Sequence, residues 1–136
     1  MIIKPHIIEF ERIGSNDLGY ISIAEVKNQI HFDIKRVYWT YYTPNEVQRG
    51  FHAHKNLNQV IIAVSGEIRF KLIDVKEVEF NFTLNNPSQG LFIPKMHWRE
   101  ISFSHNAVLL CLASEVFLED DYIREYYKFI KNKDEI

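Results

Sequence analysis

The stretch that decides this chain is RGFHAHKNLNQVIIAVSG, Arg49 to Gly66. Two histidines stand two residues apart, His52 and His54. Gln59 follows five residues later, and an apolar run closes on Gly66. On a β-strand, side chains two apart point the same way, so His52 and His54 share a face, with Arg49 just before them. Such a pair is a metal site, a proton-transfer site, or two core histidines satisfied by their neighbours.

Outward from this stretch the chain is built of short β-rich runs. HIIEFERI, YISIAEV, IHFDIKRVYWTYY, QVIIAVSGEIRFKLI, VEFNFTL, GLFIP, HWREISF and AVLLCLAS all read as strands. GSNDLG, TPNEVQRG, VSGE and NNPSQG, rich in Gly, Pro, Asn and Asp, are the breaks. VEFNFTL and EIRFKLI alternate cleanly, which puts one residue set on each face of a sheet. Only the end changes period. Leu118, Tyr122, Ile123, Tyr126, Phe129 and Ile130 recur at three- and four-residue steps, with acids first and lysines last. This predicts one terminal helix over 118–132, oriented to suit its dipole. The fold class expected is all-β, a sandwich or barrel with one C-terminal α-helix, in a single domain spanning 1–136.

The totals narrow the partners. The 136 residues carry a net charge of −2, with Lys and Arg scattered, so no nucleic-acid surface is indicated. A few well-placed Arg side chains still suffice for a diphosphate. MIIKPHIIEF has charges and a Pro inside a short apolar stretch, unlike a secretion signal, and no run reaches transmembrane length. No membrane role and a cytoplasmic location are expected. The single Cys111 lies in an apolar run and reads as a buried strand thiol.

The metal reading can be tested on the spacing. His52-x-His54, four residues, Gln59, six residues, Gly66 is the interval of the first cupin motif, although its leading Gly position holds Glu46. The second cupin motif, P-x-G-x2-H, appears as Pro94-Lys95-Met96-His97-Trp98-Arg99. An amide thus replaces a carboxylate ligand, and a guanidinium replaces an imidazole. A guanidinium has no lone pair for a metal and repels a cation. The pocket is kept and its metal lost; no metal and no cofactor are expected. Imidazole titrates near neutrality and both takes and gives protons. Arg holds a phosphate or stabilises an enolate oxygen. Blander fates stay open: Arg99 paired with Glu100, Gln59 hydrogen-bonded to His54, Tyr38 as strand packing. His6, His31, His97 and His105 lack a partner in spacing and read as surface or rim residues.

Five stretches together resemble a known family, the metal-free cupin sugar-nucleotide 3,4-ketoisomerases of bacterial surface-polysaccharide biosynthesis. They are IKRVYW (34–39), RGFHAHKNLNQV (49–60), SGEIRFKL (65–72), Trp98-Arg99-Glu100, and VLLCLASEVFLEDDYIREY (108–126). The resemblance implies a cupin jelly roll acting on dTDP-4-keto-6-deoxy-D-glucose and moving its carbonyl from C4 to C3. The product, of galacto or gluco configuration, then goes to an aminotransferase that makes a 3-amino sugar. It implies a homodimer with exchanged N-terminal strands, MIIKPHIIEF among them. His52 matches the family's proposed base, Tyr38 a site tyrosine, and His54 and Arg49 the rest of the motif. Gln59 faces the same cavity. Candidates for holding dTDP are Lys55, Arg69, Arg99 and Trp98. Two departures stand out. Arg99 occupies a position where the family often has His, and the turn Asp17-Leu18-Gly19-Tyr20 fits neither product type. The rival readings are a sugar-nucleotide 3,5-epimerase, a metal-dependent cupin oxygenase, and a dTDP-sugar binding module without catalysis.

Overall fold

A computed structural model describes residues 3–132. The ends of the expected domain, 1–2 and 133–136, and with them the first two residues of MIIKPHIIEF, lie outside the described residues. Alternating runs pair into two antiparallel sheets. The first has the order β1 (His6–Glu9), β9 (Gln89–Ile93), β6 (Gln59–Ser65), β11 (Val108–Ala113), β4 (Arg36–Tyr41). The second has the order β12 (Tyr122–Ile123), β5 (Gln48–His54), β10 (Trp98–Phe103), β7 (Ile68–Ile73), β8 (Glu79–Leu84). A hairpin of β2 (Glu11–Ser15) and β3 (Gly19–Ile23) forms a separate two-stranded sheet.

Every second residue of the strands faces the space between the sheets. Ile61, Ala63, Phe70, Leu72, Ile101, Phe103 and Leu109 are buried there as one core. Their burial removes apolar surface from water and holds the two sheets together. A second cluster lies outside the first sheet. Ile30, Val60, Ile62 and Leu112 are buried there, with Phe32 and Ile34 packed against them. This explains one difference from the sequence reading. The run from Ile30 to Tyr42 becomes a strand only at Arg36, because Ile30, Phe32 and Ile34 satisfy their alternation by packing on the sheet instead of pairing within it. HIIEFERI likewise breaks at Phe10, whose side chain is buried in the same outer cluster.

The terminal helix is much shorter than the expected 118–132. A 3-10 turn covers Glu119–Asp121, β12 follows, and α1 spans only Tyr126–Ile130. The cause is tertiary. Tyr122 and Ile123 pair with His54 and Ala53 on the edge of β5, which draws the chain out straight. The apolar period still marks the buried face, since Ile123 and Phe129 pack with Ala53, Ile73, Val75 and Trp98 outside the second sheet. Among the described residues no helix is long and apolar enough to cross a membrane.

Candidate active site

At one end of the space between the sheets the inward residues turn polar. β5 brings His52 and His54, β6 brings Gln59, β10 brings Arg99, β4 brings Tyr38 and β11 brings Cys111. Pairing fixes their neighbours: Arg99 lies opposite both His52 and Leu72, and Cys111 opposite Tyr38. Paired residues in antiparallel strands share a face, so the register alone gathers these side chains.

Gly50 sets the geometry of the first histidine. The β5–β10 pairing is irregular here, and Gly50 has φ +97°. A Cβ at Gly50 would come within 2.8 Å of the Arg99 carbonyl oxygen, so a side chain is excluded on both counts. Phe51 follows at φ 55°, a left-handed conformation uncommon for a bulky residue. Next in the chain, the His52 ring places Nδ1 2.9 Å from the Gly50 carbonyl. A carbonyl only accepts, so Nδ1 carries the proton and Nε2 keeps its lone pair.

His54 is fixed differently. Its Nδ1 donates to Asp121 Oδ2 at 2.9 Å, and Asp121 Oδ1 accepts the Asn56 N–H at 2.7 Å. His54 and Asp121 are both buried. Tyr122 lies against both imidazoles, its ring 4.4 Å from that of His54 and 4.9 Å from that of His52. The histidine rings themselves meet edge to face at 4.9 Å. Asp121 and Tyr122 are the members of this cluster that the sequence reading missed. Their only signal was membership of the DYIR segment of the resembling tail.

Arg99 occupies the centre and is 2% exposed. Its two terminal nitrogens donate to Gln59 Oε1 and to the His97 carbonyl. With its oxygen taken, the Gln59 amide donates through Nε2 to Tyr38 Oη at 2.9 Å and to Cys111 Sγ at 3.2 Å. A glutamate would pair with Arg99 but has no N–H for Tyr38. Thus Gln59 bonds neither His54 nor a free ligand position, and Arg99 is not paired with Glu100. Arg99 Nε is buried without a hydrogen-bond partner among the described residues. Among the described residues no group of three or more His, Cys, Asp and Glu is arranged to hold a metal ion.

The electrostatics follow from burial around a fixed cation. Burial, and next the Arg99 charge, lower His52 to about 4. Burial, then Arg99 and His52, hold His54 far below the usual imidazole range. The neutral ring donates its Nδ1–H to Asp121 Oδ2. Burial, then the neighbouring Cys111 thiol, raise the Tyr38 phenol above its ordinary value. Burial pushes the Cys111 thiol up to about 11. At neutral pH the cluster therefore holds two uncharged imidazoles, a protonated phenol and a guanidinium.

Not every candidate joins this cluster. Arg49 lies opposite Ile101 near the start of β5 and is exposed, and Lys55 is exposed just past the strand's end. Arg69 projects from the outer face of β7, 2.9 Å from Glu67. Trp98 is buried beneath α1 on the outer face of the second sheet, its ring 5.3 Å from that of Tyr126. Strand alternation sends it opposite to Arg99, so it has no free face for a base. His97 is buried, not at the rim, with Nδ1 on the Lys95 carbonyl. His6, His31 and His105 are exposed as expected.

Residues 3–134 match the family FdtA, described as WxcM-like, C-terminal. The chain belongs to the FdtA family. A relative from Aneurinibacillus thermoaerophilus, TDP-4-oxo-6-deoxy-alpha-D-glucose-3,4-oxoisomerase, is 40% identical over 126 residues, 92% of this chain and 89% of its own. The crystal structure of QdtA, a sugar 3,4-ketoisomerase from Thermoanaerobacterium thermosaccharolyticum in complex with TDP, is 38% identical. It superposes with a TM-score of 0.91 over 99% of this chain and 98% of that one. A histidine-to-asparagine variant of QdtA is known in complex with TDP-4-keto-6-deoxyglucose. A dTDP-4-dehydrorhamnose 3,5-epimerase from Bacillus anthracis, 15% identical with a TM-score of 0.75 over 87% of this chain and 76% of its own, shares the fold alone. The cupin jelly roll expected for this FdtA-family chain is the fold it has.

Proposed function

We propose that this FdtA-family chain is an isomerase that moves the carbonyl of dTDP-4-keto-6-deoxy-D-glucose from C4 to C3. One observation carries the reading. His52 is held neutral with Nδ1–H on the Gly50 carbonyl, leaving an unprotonated Nε2 on the strand position opposite Arg99. The C3 hydrogen is acidic because it adjoins the C4 ketone. His52 Nε2 takes it as a proton, and the electron pair moves onto the C4 oxygen to give an enediolate. The guanidinium of Arg99 and the Tyr38 hydroxyl lower the cost of that charge in a site shielded from water. Tyr38, kept protonated, serves as donor and not as base. A proton returned to C4 and one lost from the C3 hydroxyl complete an exchange that leaves the formula unchanged. The face protonated at C4 sets the galacto or gluco product. His54, oriented by Asp121, and Tyr38 are the donors available if that face is not the one His52 serves.

The 3-keto product suits an aminotransferase making a 3-amino-3,6-dideoxy sugar for a surface polysaccharide, in the cytoplasm. We also place the working form as a homodimer. In the single chain β1 pairs with its own β9, but the β2–β3 hairpin pairs with neither large sheet and exposes Ile13, Leu18, Tyr20 and Ile21. Val37, Trp39 and Tyr41 are exposed on the outer face of β4. A second copy exchanging its N-terminal strands would cover both surfaces, and light scattering on the eluting protein would give twice the chain mass.

The test is to incubate the protein with dTDP-4-keto-6-deoxyglucose in D2O and read the sugar by NMR. A C3 ketone with solvent deuterium at C4 is expected, its couplings giving the C4 configuration. A chelator should leave the rate unchanged. Deuterium at C3 and C5 without carbonyl migration would mean a 3,5-epimerase, and an unchanged sugar a binding module.

A further inference from the structure

We infer that Gln59 is a positioning residue that aims the hydroxyl proton of Tyr38 at the sugar. The inference deepens the isomerase reading and rests on it. An amide donates at one end and accepts at the other, and a flip reverses the two. Here a flip is blocked. The Arg99 guanidinium has only N–H groups to offer, so the end of Gln59 that meets it is Oε1. Nε2 is thereby turned the other way, and both of its hydrogens are used, one on Tyr38 Oη at 2.9 Å and one on Cys111 Sγ at 3.2 Å. Gln59 sits on β6 and Tyr38 on β4, with β11 between them, so the amide reaches past Cys111 to the phenol.

The consequence falls on the phenol. A hydroxyl oxygen that accepts from Gln59 keeps its own hydrogen for another acceptor. The acceptor beside it among the described residues is the Cys111 sulfur, which is weak and already takes an amide N–H. The Tyr38 O–H is left for the oxygen that gains charge when His52 removes the C3 proton. A donor aimed before that charge develops needs no rearrangement when it does. Arg99 also polarises the amide, which strengthens the N–H bonds further along the chain. A carboxylate at position 59 would reverse the order. It would still meet Arg99, but it would accept the Tyr38 proton and turn the phenol away from the sugar. The amide thus sets the direction of a proton while leaving the charge of Arg99 unneutralised.

The experiment is a double-mutant cycle on turnover of the keto sugar, with Gln59→Glu, Tyr38→Phe and the pair together. In parallel, NMR is recorded on protein labelled at tyrosine Cζ, where the Tyr38 signal is the one missing from Tyr38→Phe. Expected are a fall in kcat of about 10²- to 10³-fold in Tyr38→Phe and of about 10- to 100-fold in Gln59→Glu. The KM should stay within about threefold of wild type in both, since the aimed proton matters once charge develops. Adding Gln59→Glu to Tyr38→Phe should cost less than about threefold more, because a residue that acts through Tyr38 has nothing to aim once the hydroxyl is gone. The Tyr38 Cζ signal should move in Gln59→Glu as the hydroxyl changes from accepting to donating. Additive losses in the pair, wild-type turnover in Gln59→Glu, or an unmoved Tyr38 signal would each overturn the inference. A Gln59 that only supports packing would lower the melting temperature and give additive losses. Where Gln59→Glu fails to fold, Gln59→Met, which keeps the length and removes the N–H, runs the same cycle. If wild type leaves the sugar unconverted, the isomerase reading falls and the Cζ signal decides: a moved signal supports the orientation of Tyr38 by Gln59, and an unmoved one overturns it.

Discussion

The two ends of the space between the sheets are built by the same strands and do opposite things. β6 contributes Gln59 at one end and Ala63 at the other. β11 contributes Cys111 and Leu109, and β10 contributes Arg99 and Phe103. Toward Ala63, Leu109 and Phe103 the interior is filled with apolar side chains and closed. Toward Gln59 and Arg99 it is a chain of hydrogen bonds from the His97 carbonyl through Arg99 and Gln59 to Tyr38. On this reading stability is concentrated at the first end and the proposed chemistry at the second, and substitutions should separate the two.

The largest expected effect is on activity alone. His52→Asn should fold as wild type and lose about 10²- to 10⁴-fold in kcat, the usual cost of removing a general base; near-normal turnover would move the base elsewhere. At the closed end the pattern reverses. Phe70→Ala removes a buried ring and should destabilise by about 3–5 kcal/mol in chemical denaturation, with turnover per folded molecule preserved. If it lowered turnover as strongly as His52→Asn, the two ends would not be separable.

Asp121→Ala falls between. It leaves the His54 Nδ1–H and the Asn56 N–H without their acceptor, so a loss of about 1–3 kcal/mol is expected together with reduced kcat. Asp121→Asn should recover part of both, since its amide oxygen still accepts. The smallest effect belongs to the outer surface. Arg69 is exposed and, among the described residues, paired only with Glu67, so Arg69→Ala should change stability by less than about 1 kcal/mol and leave dTDP affinity untouched.

What the sequence disclosed follows the same division. The strands were legible because alternation is a local property, and the inward set of β5, His52 and His54, followed from it. The same rule places Trp98 on the opposite face from Arg99, where the structure has it. Asp121 was not legible as a partner of His54, because 67 residues separate them and its acidic neighbours imitate the start of a helix. The helix itself was overextended for that reason. An apolar period from Leu118 to Ile130 marks a buried face, but the pairing of Tyr122 with His54 decides where helix begins. The commitment of Gln59 at both ends also depended on four strands meeting, its own and those of Arg99, Tyr38 and Cys111.

The central claim is that His52 is an uncharged base with its proton on Nδ1, poised beside a fixed cation. With the folded value lowered to about 4 from the ordinary imidazole value of 6.5, the unfolded chain holds more protons between these pH values. Stability from this group is therefore complete above about pH 6.5 and declines as pH falls through that window. The most direct test is a nitrogen NMR titration of the His52 imidazole in the intact protein. The account predicts a neutral ring protonated at Nδ1 from pH 8 down to about pH 5, with charge appearing only near pH 4. A ring that titrates near 6.5, or one that carries its neutral-state proton on Nε2, would contradict it.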